Sequence, residues 1–293
     1  MKSVSHPKPK PKWLATKLGG GARFKGVAEI LEREHLHTVC ESAKCPNRGE
    51  CFQSGTATFM ILGDQCTRGC RFCAVERHPR PAPVDPDEPR RIASAVETLE
   101  LSYAVITSVT RDDLPDEGAG QFHDTVTAIK ALPNAPLVEL LIPDLTGEPL
   151  KTVLAAGPEV LAHNIEVVAP LSREMRHPGF DYARSLAVLK EMKQIAPDVI
   201  TKSSIMLGLG ETEADVVQSM RDLRAQGVDI LVLGQYLRPT LDNAPVIEYV
   251  PPKRFERYAR KGLEAGFGFV AAHPLARTSY RAKEAYERLT APR

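Results

Sequence analysis

Short apolar runs alternate with longer amphipathic stretches from residue 57 onward. The runs at 58–63, 103–109, 137–142, 160–168, 201–207 and 230–236 have the length and apolar content of buried strands. The stretches at 88–101, 120–132, 148–156, 181–196 and 213–226 read as helices, and a last helix is expected over 252–265. Leu186, Leu189, Met192 and Ile195 recur at helical spacing. Two helix starts are marked: Asp181 stands before Tyr182, and Thr212 has Asp215 three residues on.

Strands alternating with helices imply parallel pairing through right-handed crossovers. Six units fall short of the eight in a closed barrel. The expected fold is therefore α/β, a partial TIM-like (β/α)6 barrel with N-terminal and C-terminal extensions. A doubly wound sheet has similar periodicity. In both folds chemistry gathers at the C-terminal ends of the strands. Those ends carry Thr107, Ser108, Thr110, Arg111, Asp112 and Asp113 on the second strand and Asp144 on the third. Asn164 and Glu166 lie within the fourth, residues 208–211 follow the fifth, and Gln235 with Tyr236 closes the sixth.

Charge changes this picture little. The 38 Lys and Arg nearly balance 37 Asp and Glu, for a net +1, so no nucleic-acid partner is expected. No run of about 18 apolar residues occurs, so no membrane span is expected. The start lacks the apolar core of a secretory signal, and a cytoplasmic location follows. Lys8, Lys10 and Lys12 alternate with Pro9 and Pro11 ahead of Gly19, Gly20 and Gly21. That composition reads as a solvated basic arm, or as one that folds over a partner or the metal site.

The cysteines change it most. All six lie between Cys40 and Cys73. Thiols filling a core would be scattered, and a reducing compartment disfavours disulfides. Cys66, Cys70 and Cys73 form a three-then-two spacing just after the first strand. Three thiolates on a short loop hold three irons of a four-iron cluster and leave the fourth open to a ligand. Zinc normally takes four ligands with paired CxxC spacing, and here only His78 stands near as a fourth. Cys40, Cys45 and Cys51 form a second set, again three thiols with no obvious fourth. Its place before the first strand puts it over the barrel mouth.

The motif CTRGCRFC resembles the cluster loop of the radical S-adenosylmethionine (SAM) superfamily, in which an aromatic such as Phe72 precedes the third cysteine. The stretch HTVCESAKCPNRGECFQSGTATFMILGDQCTRGCRFCAV resembles the lipoyl synthase family. So do TSVTRDDLPDEGA, VELLIPD, HNIEVV, MLGLGET, LGQYLRP and the RTSY at residues 277–280, which stands where that family has RSSY. The resemblance runs from about residue 23 to 285.

This resemblance implies two [4Fe-4S] clusters and SAM as cofactors. Cys66, Cys70 and Cys73 would bind the SAM cluster, and Cys40, Cys45 and Cys51 an auxiliary one, with Ser279 on its fourth iron. Thr278 departs from the family pattern but leaves Ser279 in place. The implied reaction inserts two sulfur atoms at C6 and C8 of a protein-bound octanoyl chain. The auxiliary cluster is the sulfur donor, and both clusters face one cavity. Implied partners are octanoylated lipoyl carriers (2-oxoacid dehydrogenase E2 lipoyl domains and the glycine cleavage H protein), a ferredoxin- or flavodoxin-type electron donor, and an iron–sulfur cluster carrier. The segments are then 1–56 with the auxiliary motif, 57–267 as the barrel, and 268–293 with RTSY.

Asn164 and Glu166 are expected to contact the SAM ribose, against the alternative of a buried structural pair. Thr107, Ser108 and Asp113 are candidates for its methionine end, against ordinary loop capping. Arg277 either orients Ser279 or contacts the carrier. His35, His37, His163 and His273 read as structural or surface residues, since the thiols account for both clusters. Gly208 and Gly210 lack the third glycine of a nucleotide fingerprint and read as a tight turn. The competing functions are another two-cluster radical SAM enzyme, such as a biotin synthase-like or methylthio-transferring one, and a non-catalytic electron carrier or structural metal protein.

Overall fold

A computed structural model describes residues 9–16, 20–53 and 58–291. Of the N-terminal basic arm, residues 1–8 and 17–19 lie outside the described residues, while Lys12–Leu14 forms a single 3-10 turn that buries Leu14. The chain opens with α1 (Ala22–Arg33), β1 (His37–Thr38), α2 (Val39–Ser42) and α3 (Arg48–Gln53). Next come β2 (Thr58–Ile61), β3 (Gln65–Cys66), β4 (Glu76–Arg77), α4 (Glu88–Thr98), β5 (Tyr103–Ser108) and α5 (Ala119–Lys130). Then follow β6 (Leu137–Leu141), α6 (Glu148–Ala155), β7 (Val160–Ala162), α7 (Ala169–Met175), α8 (Tyr182–Ile195) and β8 (Ile200–Leu207). The chain ends with α9 (Glu213–Ala225), β9 (Ile230–Gln235), α10 (Pro252–Glu264), β10 (Phe269–Ala272) and α11 (Ala282–Thr290).

The main sheet runs β1-β2-β5-β6-β7-β8-β9-β10, all parallel except the edge strand β1. This is the partial barrel expected from the sequence, lengthened by β10. That strand is four residues long and follows Gly266 and Gly268, too short to stand out as an apolar run. The fourth strand is shorter than the apolar run at 160–168. It stops at Ala162: the Ile165 amide bonds the Ser203 hydroxyl and not a β8 carbonyl, and an isolated bridge to Ile205 resumes the pairing at Glu166, whose backbone is left-handed at φ +65°. Asp181 caps α8 by accepting from the Arg184 amide, and Thr212 with Asp215 forms a reciprocal capping box on α9.

Register and alternation assign the two faces of the sheet. Ala104, Ile106, Val138 and Leu140 join the large apolar core with Val126 of α5 and Val153 of α6, so they point outward to the helices. Fully burying one such side chain contributes roughly 1.5–3 kcal/mol. The alternate positions Tyr103, Val105 and Leu137 face inward, where Ala282 and Tyr286 of α11 plug the strand starts. Through the pairings Thr58↔Val105 and Lys202↔Ile230, Thr58, Lys202, Ser204, Ile230 and Gly234 share that inner face. Buried Lys202 donates to Glu139 at 2.7 Å, and Tyr103 donates to the same carboxylate at 2.7 Å.

Between β10 and α11 the chain runs along β9 as a strap. Gln235 N–H donates to Pro274 O at 3.1 Å. Gly234 lets the strap close in, since a Cβ there would stand 2.2 Å from Ala276 O.

Candidate active site

The loop carrying Cys66, Cys70 and Cys73 leaves the C-terminal end of β2 and is clipped shut by the two-residue pairing of β3 with β4. Backbone bonds tie it to the neighbouring rim loops. Thr67 N–H donates to Thr110 O, Arg71 N–H to Met175 O, and Ala244 N–H to Arg71 O. Asn243 Nδ2 donates to Cys73 O at 2.7 Å. Cys66 Sγ lies 3.1 Å from Thr110 Oγ1.

Beneath the loop is a buried ion network. Arg68 binds Asp112 through two nitrogens and also donates to Asp144. Asp144 accepts from Arg176 as well, and Arg176 reaches Ser185. His163 completes it, with Nε2 2.9 Å from Ser185 Oγ and Nδ1 3.0 Å from Ile142 O. Burial works against the Asp144 charge, but His163, Arg176 and Arg68 outweigh it and hold this carboxyl below the usual range. Phe180 lies flat under Arg68, its ring centroid 3.2 Å from the guanidinium carbon.

Glu166 lies within electrostatic reach of Cys70 and Cys73, with Asn164 beside it. Burial raises the Glu166 carboxyl, opposed by Arg176 and by a hydrogen bond from Asn164. Asn164 Nδ2 also donates to Thr278 Oγ1 at 3.1 Å, while its buried Oδ1 has no partner. Phe72 packs with Val167, Leu209 and Tyr236. Thr107 donates to Leu141 O at 2.9 Å, and Asp113 grips Arg111 through both oxygens. Ser108 Oγ is buried without a partner. The three methionine-end candidates thus differ: two are engaged within the protein and one is open.

The second thiol set is gathered by short elements. Thr38 caps α2, which holds Cys40, and α3 holds Cys51. Cys45 N–H donates to Cys40 O, and Cys51 N–H to Asn47 O. Phe52 packs on Phe24 of α1 at 5.4 Å between centroids. One pocket is lined by Cys40, Cys45, Cys51, Asn47, Thr58, Arg277, Ser279 and Tyr280. Since Thr58 faces the barrel interior, this pocket lies against the inner wall at the seam, not over the mouth. The strap carries Ser279 there, and Asn47 Nδ2 holds the strap by donating to Leu275 O at 2.7 Å. Burial pushes the Cys40 thiol up to about 11, and burial with the neighbouring thiols pushes Cys51 up to about 12. Cys73 in the other set also rises to about 12, chiefly by burial.

Arg277 is the residue whose role the sequence left open. Its guanidinium has no carboxylate partner among the described residues; it donates to Ala276 O at 2.6 Å and lies near Cys45. Sequence reasoning also missed Asn47, whose buried Oδ1 is unpartnered, and the Arg68–Arg176 network. A charged residue inside a cysteine loop was the one available signal for Arg68. His163 is structural and His273 stacks on Tyr280, in keeping with their expected roles. Gly208 makes the expected tight turn, at φ +98° with Glu211 accepting from its N–H. Among the described residues no three His, Cys, Asp or Glu converge as a single-ion site would require, and no helix is long and apolar enough to cross a membrane.

A three-cysteine loop at the strand ends of an open parallel barrel is the arrangement of the radical SAM superfamily, and residues 60–223 match the model of that superfamily. The fold is shared with the FeFe-hydrogenase maturase HydG from Carboxydothermus hydrogenoformans, at TM-score 0.60 and 13% identity over 78% of this chain and 56% of that one. Much nearer relatives are lipoyl synthases. That of Anaeromyxobacter dehalogenans is 52% identical over 281 residues, 95% of each chain. That of Thermus thermophilus is 51% identical over 279 residues, 94% of this chain and 86% of its own. The chain belongs to the lipoyl synthase family, and is a radical SAM sulfur-inserting enzyme. Membership sets aside the biotin synthase-like and non-catalytic alternatives.

Proposed function

We propose that the chain converts a protein-bound octanoyl group to a lipoyl group with two [4Fe-4S] clusters held in the two thiol sets. Cys66, Cys70 and Cys73 hold the cluster that binds SAM. Cys40, Cys45, Cys51 and Ser279 hold the auxiliary cluster that donates sulfur. The observation that carries this reading is the gathering of Ser279 with three thiols in one pocket from opposite ends of the chain. Four donors spread around a pocket suit a four-iron cluster, in which each ligand takes a different corner.

When bound, the SAM cluster and a low-potential electron supply a carbon-centred radical able to take hydrogen from saturated carbon, and the auxiliary cluster supplies sulfur. The protein's own residues position and exclude. Glu166 and Asn164 orient the SAM ribose, with Ser108 at its methionine end. Ser279 offers a hard oxygen, a weak match for iron among sulfurs, so it is the ligand suited to leave. Arg277 supplies a half-buried positive charge to an anionic cluster that the pocket's own thiols cannot neutralise. Because burial raises the thiols of Cys40 and Cys51 in one set and of Cys70 and Cys73 in the other, loading either cluster displaces protons and is favoured by higher pH.

The substrate is an octanoylated lipoyl carrier domain, and a ferredoxin- or flavodoxin-type donor and a cluster carrier serve the reaction in the cytoplasm. Residues 1–56 act as the auxiliary segment and 57–267 as the barrel, which β10 extends into the 268–293 segment that carries the strap. Anaerobic iron and sulfide quantitation tests the two-cluster reading. About eight irons in the parent, and about four in each triple Cys→Ala variant, are expected for independent four-iron clusters. About four in the parent would overturn it.

A further inference from the structure

The residue at which this chain departs from the family's RSSY pattern is not idle. Thr278 lies between Arg277 and Ser279, both lining the auxiliary pocket, yet its own hydroxyl points to the other site. It accepts from Asn164 Nδ2 at 3.1 Å and donates to Ser204 Oγ, on the inner face of β8, at 3.5 Å. Asn164 in turn stands beside Glu166, which lies within electrostatic reach of Cys70 and Cys73.

The orientation of this amide matters. The Thr278 hydroxyl spends its hydrogen on Ser204 and so accepts from Nδ2, which fixes the nitrogen side of Asn164 toward Thr278. That leaves Oδ1, buried and unpartnered, as an acceptor awaiting a hydroxyl. Asn164 is only 7% exposed, so an unmade bond there is costly and a ligand hydroxyl is the natural donor.

We propose that Thr278 is a positioning residue for SAM. Its hydroxyl locks the Asn164 amide in the orientation that presents Oδ1 to the ribose, so the strap that brings Ser279 to the auxiliary pocket also sets SAM affinity. The inference rests on the assignment of Asn164 to the ribose, and the test separates the two.

Equilibrium binding of SAM to the anaerobically reconstituted enzyme is measured for Thr278→Val, Thr278→Ser, Asn164→Ala and the Thr278→Val/Asn164→Ala double variant. Valine keeps the shape and removes the hydroxyl. Expected are an affinity loss of about tenfold for Thr278→Val, near-parent affinity for Thr278→Ser, and a double variant no weaker than Asn164→Ala. A purely structural role would instead give additive losses in the double variant, with Thr278→Ser impaired alongside a lowered iron content. If Asn164→Ala binds SAM like the parent, the ribose assignment fails and the proposal with it. If Asn164→Ala is weakened but Thr278→Val is not, or if the losses add, the proposal alone is overturned.

Discussion

The two thiol sets are built by opposite means. The Cys66 loop sits on a strand end, is clipped by β3 and β4, and rests on a buried network in which Arg68, Asp112, Asp144 and Arg176 all find opposite charges. The Cys40 set is held by two helices of four and six residues and a strap without regular structure, and the half-buried guanidinium of Arg277 faces thiols, with no carboxylate partner among the described residues. The first is braced to stay while a ligand comes and goes. The second has short elements and no such network, and on the proposed function it is the centre that gives up sulfur.

The sharpest way to break this contrast is Arg68→Ala. It removes the cation from part-exposed Asp112 and one of the two arginines from buried Asp144, which keeps Arg176, so the loss should approach, without exceeding, the roughly 3–5 kcal/mol of a broken buried pair. Chemical denaturation of the metal-free chain would read the loss, and a change under about 1 kcal/mol would show that the network does not brace the loop. Next in size is Gly234→Ala. Its methyl collides with Ala276 O, so the strap must shift, with an expected cost of about 1–3 kcal/mol. Reconstituted variant should lose the auxiliary iron and keep about four irons in the SAM cluster. Equal loss from both sites would erase the distinction.

Arg277→Met makes the matching test in the second pocket. No carboxylate is left stranded among the described residues, so the metal-free chain should lose about 1 kcal/mol or less. The auxiliary cluster, deprived of its countercharge, should be lost to a chelator faster than in the parent. The smallest effect expected is on acid stability. Asp144 is held below its unfolded value, so its charge adds stability above pH of about 4, and that contribution disappears as pH falls further. Asp144→Asn should be less stable at neutral pH but flatter below about pH 4 in acid titrations of unfolding. An unchanged acid slope would remove Asp144 from the account.

Much of the fold was legible because its signals are local. Apolar runs separated by amphipathic helices mark parallel strands, and caps such as Asp181 and Thr212 announce helix starts through bonds that span three residues. The fourth strand ends at Ala162 although the apolar run continues, because the Ile165 amide turns to the Ser203 hydroxyl and such a choice leaves the apolar pattern unaltered. The β10 strand escaped because four residues beside glycines carry little periodicity.

By itself the sequence determined the class of chemistry: two incomplete sets of thiols at fixed spacings, the first on a loop after a strand, and a terminal Arg-Thr-Ser-Tyr. Spacing within a loop fixes which donors are near one another, because the intervening chain is too short to part them. What only the tertiary structure decided was the joining of distant segments. Asn47 meets Leu275, Thr278 meets Asn164, and Arg277 comes to rest among thiols more than 220 residues earlier in the chain, its charge unmatched by any carboxylate of the described residues. Those meetings depend on the register of the sheet and the gap at Gly234, and no local pattern encodes either.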